Sequence, residues 1–209
     1  MKVAFLLDKS NNWVEPFVIN YIKENNDYII TFEHSLVLNF DIVFILGYTK
    51  ILDEKFLSSN KLNLVVHESD LPKGKGFSPV QWQILEGKKE ILFTLFEASQ
   101  NIDAGDIVLQ RKVKFTGYEL FDEIRDIQGK ETIKLIDEFL NIYPHFLKSK
   151  QVGKETIYPR KKDKDDMLDI NKSIKEQFNH FRIANNDEYP LWFEIDGHRY
   201  ILKIYKEKT

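Results

Sequence analysis

The chain has 209 residues, 43% of them hydrophobic and 13% aromatic, which is enough apolar material for one large domain or a domain with a small appendage. Its 30 basic and 33 acidic side chains leave a net charge of -3, which argues against a nucleic-acid or membrane partner bound through bulk charge. The sequence contains no cysteine, and this excludes disulfides, thiolate metal sites and a cysteine nucleophile.

The N-terminal stretch MKVAFLLDKSNNW has one basic residue before a short apolar run. That run is too short for the hydrophobic region of a signal peptide, and no later run approaches the length of a transmembrane helix. We therefore expect a cytoplasmic protein with no membrane partner.

The first third of the chain alternates strand-like and helix-like segments. KVAFLL, YIITF, DIVFILG and LNLVV are apolar runs of buried-strand length. Helical spacing is found at Trp13, Phe17, Val18, Tyr21 and Ile22, and a second, short helix is predicted at Ile51, Leu52, Lys55 and Phe56. Strands buried on both faces and separated by helices are typical of a mainly parallel α/β sheet. The GxGxxG pattern of dinucleotide-binding proteins is absent after the first strand.

The middle of the chain continues this alternation. Ser78 followed by proline is typical of a helix cap, and Gly87 is expected to end that helix. EILFTLFEA and DIVLQRKVKF predict two more strands, joined by the turn SQNIDAG. From Tyr118 to Leu147 the apolar residues mostly keep helical spacing, with Gly129 as the weak point of that helix.

The last quarter of the chain has a different character. The charged stretch YPRKKDKDDMLD is interpreted as a solvated linker. A short helix is predicted at Ile174, Phe178, Phe181 and Arg182, and LWFEIDGHRYILKIY predicts a hairpin with a two-residue Asp-Gly turn. We therefore predict an α/β domain over residues 1–150 and a small α+β region over residues 151–209.

His67 and Asp103 are the candidate reactive side chains. His67 ends the apolar run LNLVV and precedes a loop with proline and glycine, and ligands in open α/β sheets bind outside the carboxyl ends of strands. Asp103 lies in the turn NIDAGD, where Gly105 would permit a positive φ. A histidine beside a carboxylate can transfer protons. From spacing alone, a structural role for the pair remains open. His34 and His145 are expected to be structural.

The segment VVHESDLPKGKGFSPVQWQILEGKKEILFTLFEASQNIDAGDIVLQ resembles the core of the formyltransferases that use 10-formyltetrahydrofolate, among them the methionyl-tRNA and sugar N-formyltransferases. His67–Pro72 matches the family's His-x-Ser-x-Leu-Pro motif, and Asp103–Gly105 matches its Asp-x-Gly turn. The resemblance extends from about Asp41 to Lys203. It implies a Rossmann-like, mainly parallel α/β sheet with a shortened N-terminal half and a small C-terminal α+β hairpin appendage.

The resemblance also implies roles for individual residues. His67 and Asp103 would be catalytic, and the donor 10-formyltetrahydrofolate would be bound by Tyr48, Lys50, Ile51, Leu52, Gln100, Asn101, Ile102 and Asp103. Candidates for binding the second substrate are Ser69, Lys73, Lys75, Gly76 and Arg182. The KGKG loop would either attract an anionic group through its lysines and amides or be a solvated tight turn. No cluster at metal-ligand spacing is found, so no metal is expected.

Two departures from the family pattern bear on the site. Val65 stands where the family has an asparagine, which helps to hold the formyl oxygen, and Asn63, Asn101 or a loop amide are the alternative donors. The stretch from Asn25 to Asp41 is too short for two strands and a full crossover helix. One βα unit near the acceptor pocket is therefore expected to be missing.

By this resemblance, the expected reaction moves a formyl group from 10-formyltetrahydrofolate to the amine of a nucleotide-linked amino sugar of the 4-amino-4,6-dideoxyhexose type, for surface glycans. A homodimer through the C-terminal hairpin is expected, with no nucleic-acid partner. Three alternatives remain: formylation of methionyl-tRNA or another amine, a folate- or sugar-nucleotide-binding protein made inactive by Val65, and a hydrolase of formylfolate.

Overall fold

A computed structural model of the protein describes residues 1–11, 13–23 and 27–207. The first third contains, in order, β1 (Val3–Leu7), α1 (Glu15–Ile22), β2 (Tyr28–Thr31), β3 (Ile42–Leu46), α2 (Glu54–Ser58) and β4 (Asn63–His67). Short 3-10 helices lie at Lys9–Asn11 and His34–Leu36. The strands predicted from the four apolar runs are all present.

The rest of the chain supplies six strands and three α-helices among the described residues. They are β5 (Lys75–Gly76), α3 (Pro79–Leu85), β6 (Glu90–Glu97), β7 (Ile107–Lys114), α4 (Phe121–Ile142), β8 (Ile157–Tyr158), α5 (Phe178–Ile183), β9 (Leu191–Ile195) and β10 (His198–Leu202). A further 3-10 helix lies at Asp163–Asp166. None of the helices in the described part of the chain is both long and apolar enough to cross a membrane.

The central sheet has the strand order β2-β1-β3-β4-β6-β7. The first four strands are parallel, β6 runs antiparallel to β4, and β7 runs antiparallel to β6. Every residue of β1 and β3 is buried, as expected for strands covered on both faces. The predicted mainly parallel α/β sheet is confirmed.

The link from β2 to β3 is the part of the fold that the sequence predicts to be short. Among residues 27–41, the structure has β2 and the 3-10 helix His34–Leu36 but no α-helix. Asn25, where the predicted short stretch begins, lies outside the described residues.

Alternating residues of the strands divide the core between two faces of the sheet. Phe5 and Phe44 pack on one face with α4, whereas Leu6 and Ile45 pack on the other with Phe56 of α2. The second face also carries Tyr48, Leu52 and Val65 as partly buried neighbours. His67 lies two residues after Val65 on β4 and therefore projects from this second face.

At Gly129, α4 packs closely against Phe17 of α1. A Cβ atom at this position would lie 2.4 Å from ring atoms of Phe17. The residue that sequence propensity marks as the weak point of α4 is therefore where the two helices pack against each other.

The C-terminal region has its own small apolar cluster, made of Leu168, Phe181, Ala184 and Leu191. Asp196 and Gly197 join β9 to β10 and have φ values of 50° and 79°, as a two-residue hairpin turn of type I′ requires. The division into residues 1–150 and 151–209 remains a proposal, which this separate cluster supports.

Two local predictions are wrong and one is confirmed in part. Ser78 is the N-cap residue of α3 and Pro79 follows at the start of the helix, as predicted, but the Ser78 side chain makes no capping hydrogen bond. Ile51 and Leu52 precede α2, since the Asp53 carboxylate caps this helix by accepting a hydrogen bond from the Phe56 amide at 2.8 Å.

The prediction that the charged stretch after Ile157 is a solvated linker is wrong, because this stretch is folded. Tyr158 belongs to β8, which pairs in parallel with β5. Lys161 forms an ion pair with Asp166, and both side chains are largely buried. Charge runs are usually solvated, but here opposite charges close on each other inside the run.

Candidate active site

His67 is held by the loop that follows β4, residues 72–77, which we call the glycine loop. The imidazole is buried, and its Nε2 lies 2.7 Å from the carbonyl oxygen of Gly74. Because a carbonyl oxygen only accepts, Nε2 carries the hydrogen, and Nδ1 of the neutral ring has a lone pair. Nδ1 lies 3.8 Å from Oδ2 of Asp103. One ring nitrogen is therefore anchored, while the other faces the carboxylate.

Asp103 reaches this position from the turn between β6 and β7. Its carboxylate accepts a hydrogen bond from the backbone amide of Gly76 at 2.9 Å. Its own φ is 49°, in the left-handed region that aspartate tolerates better than most residues. The two residues predicted as a catalytic pair are thus brought together, and the glycine loop contacts both of them.

The Asp103 turn bends back over the sheet. In the antiparallel pairing of β4 with β6, Glu97 lies opposite Leu64, whereas His67 lies opposite Thr94. The chain therefore leaves β6 at the level of Leu64 and must return along the strand for Asp103 to reach His67. The pair is therefore formed by the returning turn and not by adjacent ends of β4 and β6.

Gly105 has a different role from the one predicted. Its φ is not in the positive range, and the positive φ in this turn belongs to Asp103. A Cβ atom on Gly105 would lie 1.6 Å from the carbonyl oxygen of Glu97. Glycine is required here because the returning chain passes directly against the end of β6.

Gln151 is a supporting residue that the sequence did not reveal. Its side-chain amide donates to the carbonyl oxygens of both Asp103 and Gly105, each at 2.9 Å. These bonds fix the backbone on either side of the carboxylate. Gln151 lies in a polar stretch far along the chain, and nothing in its local sequence signals this contact.

In the predicted donor-binding segment after β3, Tyr48 and Thr49 are held by hydrogen bonds to other parts of the chain. The Tyr48 hydroxyl lies 2.8 Å from Nδ1 of His34, so His34 supports this segment. Thr49 donates through its amide and its hydroxyl to the buried carboxylate of Asp8. Burial raises the pKa of Asp8, but hydrogen bonds from Thr49 and Ser10 outweigh it and hold the pKa well below its usual range.

The other predicted donor-binding residues form an exposed and partly apolar rim. Ile51 is 81% exposed and Ile102 is 69% exposed, while Leu52 is partly buried against the Val65 cluster. Lys50 lies over the Tyr48 ring, and Gln100 and Asn101 are exposed on the turn that carries Asp103. Both segments therefore present an apolar side chain to solvent.

The five candidate acceptor-binding residues are in different environments. Gly76 contacts Asp103, as described above. Ser69 is buried, and its hydroxyl has no hydrogen-bond partner among the described residues. Lys75 forms an ion pair with Glu155 at 2.9 Å, and Lys73 lies on an exposed rim near Asp70.

Arg182, the fifth candidate, lies in the protein interior. It is 2% exposed, and its guanidinium forms a salt bridge with Glu119 at 3.0 Å and also donates to the Glu119 carbonyl oxygen. The structure does not bring it to His67, and we assign it to the contact between α5 and the start of α4.

No asparagine on β4 replaces the family residue at Val65. Asn63 is buried, donates to the Leu57 carbonyl at 2.9 Å and accepts from Asn60 at 3.3 Å, so its amide is already used. Of the predicted alternatives, Asn101 and the loop amides remain. Within the described residues, no group of three or more histidine, aspartate and glutamate side chains is arranged to hold a metal ion.

A groove of about 500 Å³ opens beside the glycine loop, lined among others by Lys73, Gly74, Thr156 and Tyr158. Neither His67 nor Asp103 lines it. The candidate site is therefore defined by the contacts of this pair and not by the groove.

Residues 1–136 match the family described as formyl transferase. The methionyl-tRNA formyltransferase of Fervidobacterium nodosum is 34% identical over 142 residues, which cover 68% of this chain and 46% of that protein. The chain thus spans about half the length of the curated relatives it matches.

Solved structures with low sequence identity share the fold. A methionyl-tRNA formyltransferase from Clostridium thermocellum superposes with a TM-score of 0.81 at 23% identity, covering 100% of this chain and 94% of that one. A 4-N formyltransferase from Francisella tularensis gives 0.72 at 19% identity, covering 100% and 99%. HypX from Aquifex aeolicus, in complex with tetrahydrofolic acid, gives 0.74 at 14% identity, covering 98% and 37%. With its family match over residues 1–136 and this fold, the chain belongs to the formyl transferase family.

Proposed function

We propose that the protein transfers the formyl group of 10-formyltetrahydrofolate to a primary amine, with His67 and Asp103 as catalytic residues. One observation carries the proposal: His67 is anchored through Nε2 to Gly74, and its Nδ1 faces Asp103 at 3.8 Å. A buried imidazole with one free nitrogen beside a carboxylate is suited to moving a proton during attack by an amine.

The protein's own groups would act in a defined order. The amine attacks the formyl carbon, and Nδ1 of His67 takes the proton that the amine loses. The imidazolium that forms pairs with Asp103, whose carboxylate is oriented by the Gly76 amide. His67 then gives the proton to the nitrogen that leaves with the folate, so that the imidazole returns to its starting state. The charge that develops on the formyl oxygen is stabilised by the imidazolium.

Binding of the folate donor is supported by the two segments beside the pair. Tyr48, Ile51 and Leu52 on one side and Ile102 on the other supply apolar surface for a ring, and the first segment is held by His34 and Asp8. HypX, which shares this fold over 37% of its chain, was solved in complex with tetrahydrofolic acid. No role for a metal is part of the proposal.

For the acceptor, we propose the amine of a nucleotide-linked amino sugar of the 4-amino-4,6-dideoxyhexose type, used for surface glycans. The supporting observation is the fold that this chain shares with the Francisella 4-N formyltransferase over 99% of that chain. Coverage itself does not separate the two acceptors, since 94% of the Clostridium methionyl-tRNA formyltransferase is covered as well. The net charge of -3 also disfavours tRNA as the acceptor. Methionyl-tRNA is the second candidate, because the curated relative with 34% identity acts on it by name.

A homodimer through the β9–β10 hairpin is part of the same proposal. Tyr200 and Ile201 on β10 are 48% and 53% exposed, and β9 and β10 form a sheet of two strands, so apolar surface and a strand edge are both available. A monomeric mass in solution at micromolar concentration would contradict it, and loss of the dimer in a Tyr200→Lys and Ile201→Lys double variant would support it.

The proposed function is tested by incubating the protein with 10-formyltetrahydrofolate and a panel of aminated sugar nucleotides, with methionyl-tRNA and free amino acids alongside. Mass spectrometry of the acceptors is the readout, and we expect one formyl group on one sugar nucleotide. Formylated methionyl-tRNA alone would establish the second candidate. Release of tetrahydrofolate without any acceptor would identify a hydrolase, and folate binding without release would identify a binding protein.

A further inference from the structure

The glycine loop that contacts His67 and Asp103 is itself held by residues 155–158, which we call the strap. The Lys75 amide donates to the Thr156 carbonyl at 2.9 Å, and the Phe77 amide donates to the Tyr158 carbonyl at 3.1 Å. In return, the Thr156 amide donates to the Pro72 carbonyl at 3.3 Å. The strap thus pairs with the loop along most of its length.

The Thr156 side chain is linked to His67 through Gly74. Its hydroxyl accepts a hydrogen bond from the Gly74 amide at 2.8 Å. The carbonyl of the same glycine accepts from Nε2 of His67 at 2.7 Å. Two hydrogen bonds through one residue therefore link Thr156 to the imidazole.

Tyr158 prevents the loop from shifting away from this position. A Cβ atom on Gly74 would lie 2.7 Å from Cε2 of Tyr158, so the ring lies directly against the Gly74 backbone. The ring stacks on Trp82 with centroids 6.2 Å apart, and its hydroxyl donates to the Glu86 carboxylate at 2.8 Å. Since Trp82 is in α3 and Glu86 directly follows that helix, the strap is fixed to a rigid element.

We propose that Thr156 is a positioning residue for His67, which selects the imidazole tautomer through Gly74. By fixing the Gly74 carbonyl against Nε2, it keeps the hydrogen on Nε2 and leaves the lone pair on Nδ1, toward Asp103. The catalytic meaning of this tautomer rests on the proposed function, but the tautomer itself does not. The site is then incomplete without the C-terminal region, because the strap lies beyond the family match at residues 1–136.

The direct test is the ¹⁵N spectrum of the histidine rings in Thr156→Val, which keeps the volume of threonine but removes the acceptor. The chain has five histidines, and the signals of His67 are assigned by their loss in His67→Gln. In the wild type we expect one protonated and one unprotonated ring nitrogen for His67 at a pH where the ring is neutral. In Thr156→Val the two ¹⁵N shifts should move toward each other, whereas Thr156→Ser should keep the wild-type values. Unchanged His67 shifts in Thr156→Val would overturn the proposal.

A second measurement needs no variant. It tests the hydrogen bond between Thr156 and Gly74 even if Thr156→Val does not fold. Hydrogen exchange of the Gly74 amide in the wild type should be slowed by about tenfold or more relative to an unprotected peptide. Exchange at the unprotected rate would show that the Thr156 bond is not formed, and would overturn the proposal.

Catalysis gives an independent readout. Thr156→Val should lower kcat about three- to tenfold, the size of one neutral hydrogen bond, with KM for the folate donor unchanged and activity restored in Thr156→Ser. If the wild type transfers no formyl group to any acceptor, the proposed function fails, while the ring spectrum still decides the role of Thr156. A shifted spectrum with kcat unchanged would overturn the catalytic part of the inference.

Discussion

The carboxylate of Asp103 accepts a hydrogen bond from the backbone amide of Gly76 at 2.9 Å, and this bond joins the returning turn to the glycine loop. Gly76 has a φ of 95°, and a Cβ atom there would lie 2.5 Å from the Tyr158 carbonyl oxygen. The position of the amide donor is therefore fixed by a backbone that only glycine adopts without strain. The contact thus brings together the Asp103 carboxylate, the glycine loop and Tyr158 of the strap.

Asp103→Asn should separate charge from shape at this position. The amide oxygen can still accept from Gly76, but a neutral group cannot stabilise the imidazolium form of His67. We expect formyl transfer to fall roughly 10²–10⁴-fold with an unchanged melting temperature. Asp106→Asn is the matched control, since Asp106 lies in the same turn and its carboxylate pairs with the exposed Lys150 at 2.8 Å.

For this pair of variants, equal activities would contradict the catalytic assignment of Asp103. A large fall in the melting temperature of Asp103→Asn would instead show that the carboxylate stabilises the turn.

Val65→Asn tests the departure from the family pattern. Residues 65 and 67 project from the same face of β4, so an asparagine here places an amide donor beside His67. We expect turnover to rise by about tenfold or more, at a cost in stability of roughly 1–3 kcal/mol because Val65 packs against apolar neighbours. Val65→Leu, which adds no donor, is the control. A folded Val65→Asn variant with unchanged turnover would mean that a loop amide or Asn101 already serves the formyl oxygen.

For Gly129→Ala, helix propensity and packing predict changes of opposite sign in the free energy of unfolding. Propensity alone predicts that alanine raises the free energy of unfolding by about 1 kcal/mol. The structure predicts a fall of roughly 1–3 kcal/mol, because the new methyl group would lie 2.4 Å from the Phe17 ring. Urea unfolding measures the sign. Adding Phe17→Leu to Gly129→Ala should recover part of the loss, and a stabilised Gly129→Ala protein would show that α1 and α4 are further apart than described.

Glu119→Gln tests the buried carboxylate of Glu119. This carboxylate pairs with Arg182, so it joins residues 1–150 to residues 151–209. Burial raises the pKa of Glu119, but hydrogen bonds from Thr116 and Gly117 outweigh it and lower the pKa to about 2. A carboxyl with a lowered pKa stabilises the fold above the unfolded value of 4.5, and that contribution is lost as the pH falls toward 2. At pH 7 the substitution should lower the free energy of unfolding by about 3 kcal/mol.

The matched control for Glu119→Gln is Asp126→Asn, which removes the exposed pair with Lys130 and should cost about 0–1 kcal/mol. The difference between wild type and Glu119→Gln should shrink between pH 4.5 and pH 2. A difference that stays constant over this range would contradict the role assigned to the ionised carboxyl.

The sequence predicts the elements of this fold well because burial leaves a clear pattern. β1 and β3 are buried along their full length and read as continuous apolar runs, and Asp196-Gly197 predicts its hairpin turn from residue chemistry alone. His67 and Asp103 were found through motifs, and the structure brings them together.

What the sequence could not reveal depends on contacts between distant segments. Gln151 and Thr156 hold the Asp103 turn and the glycine loop from far along the chain, in a stretch that carries no motif. Arg182 is buried because it pairs with Glu119, which is far away in the sequence. Nothing in the local sequence indicates that pair, so the sequence predicts Arg182 as a candidate ligand. The positive φ was assigned to Gly105 by residue type, although the path of the turn imposes it on Asp103.

The most direct test of the account is the rate of tetrahydrofolate release from 10-formyltetrahydrofolate in the presence of an aminated sugar nucleotide, compared between wild type and His67→Gln. Glutamine keeps a polar side chain near the Gly74 carbonyl but cannot relay a proton at neutral pH. We predict that release by the wild type requires the acceptor and that His67→Gln, with an unchanged fold, is slower by about 10²-fold or more. Equal rates for the two proteins would contradict the assignment of His67 as the residue that relays the proton during formyl transfer.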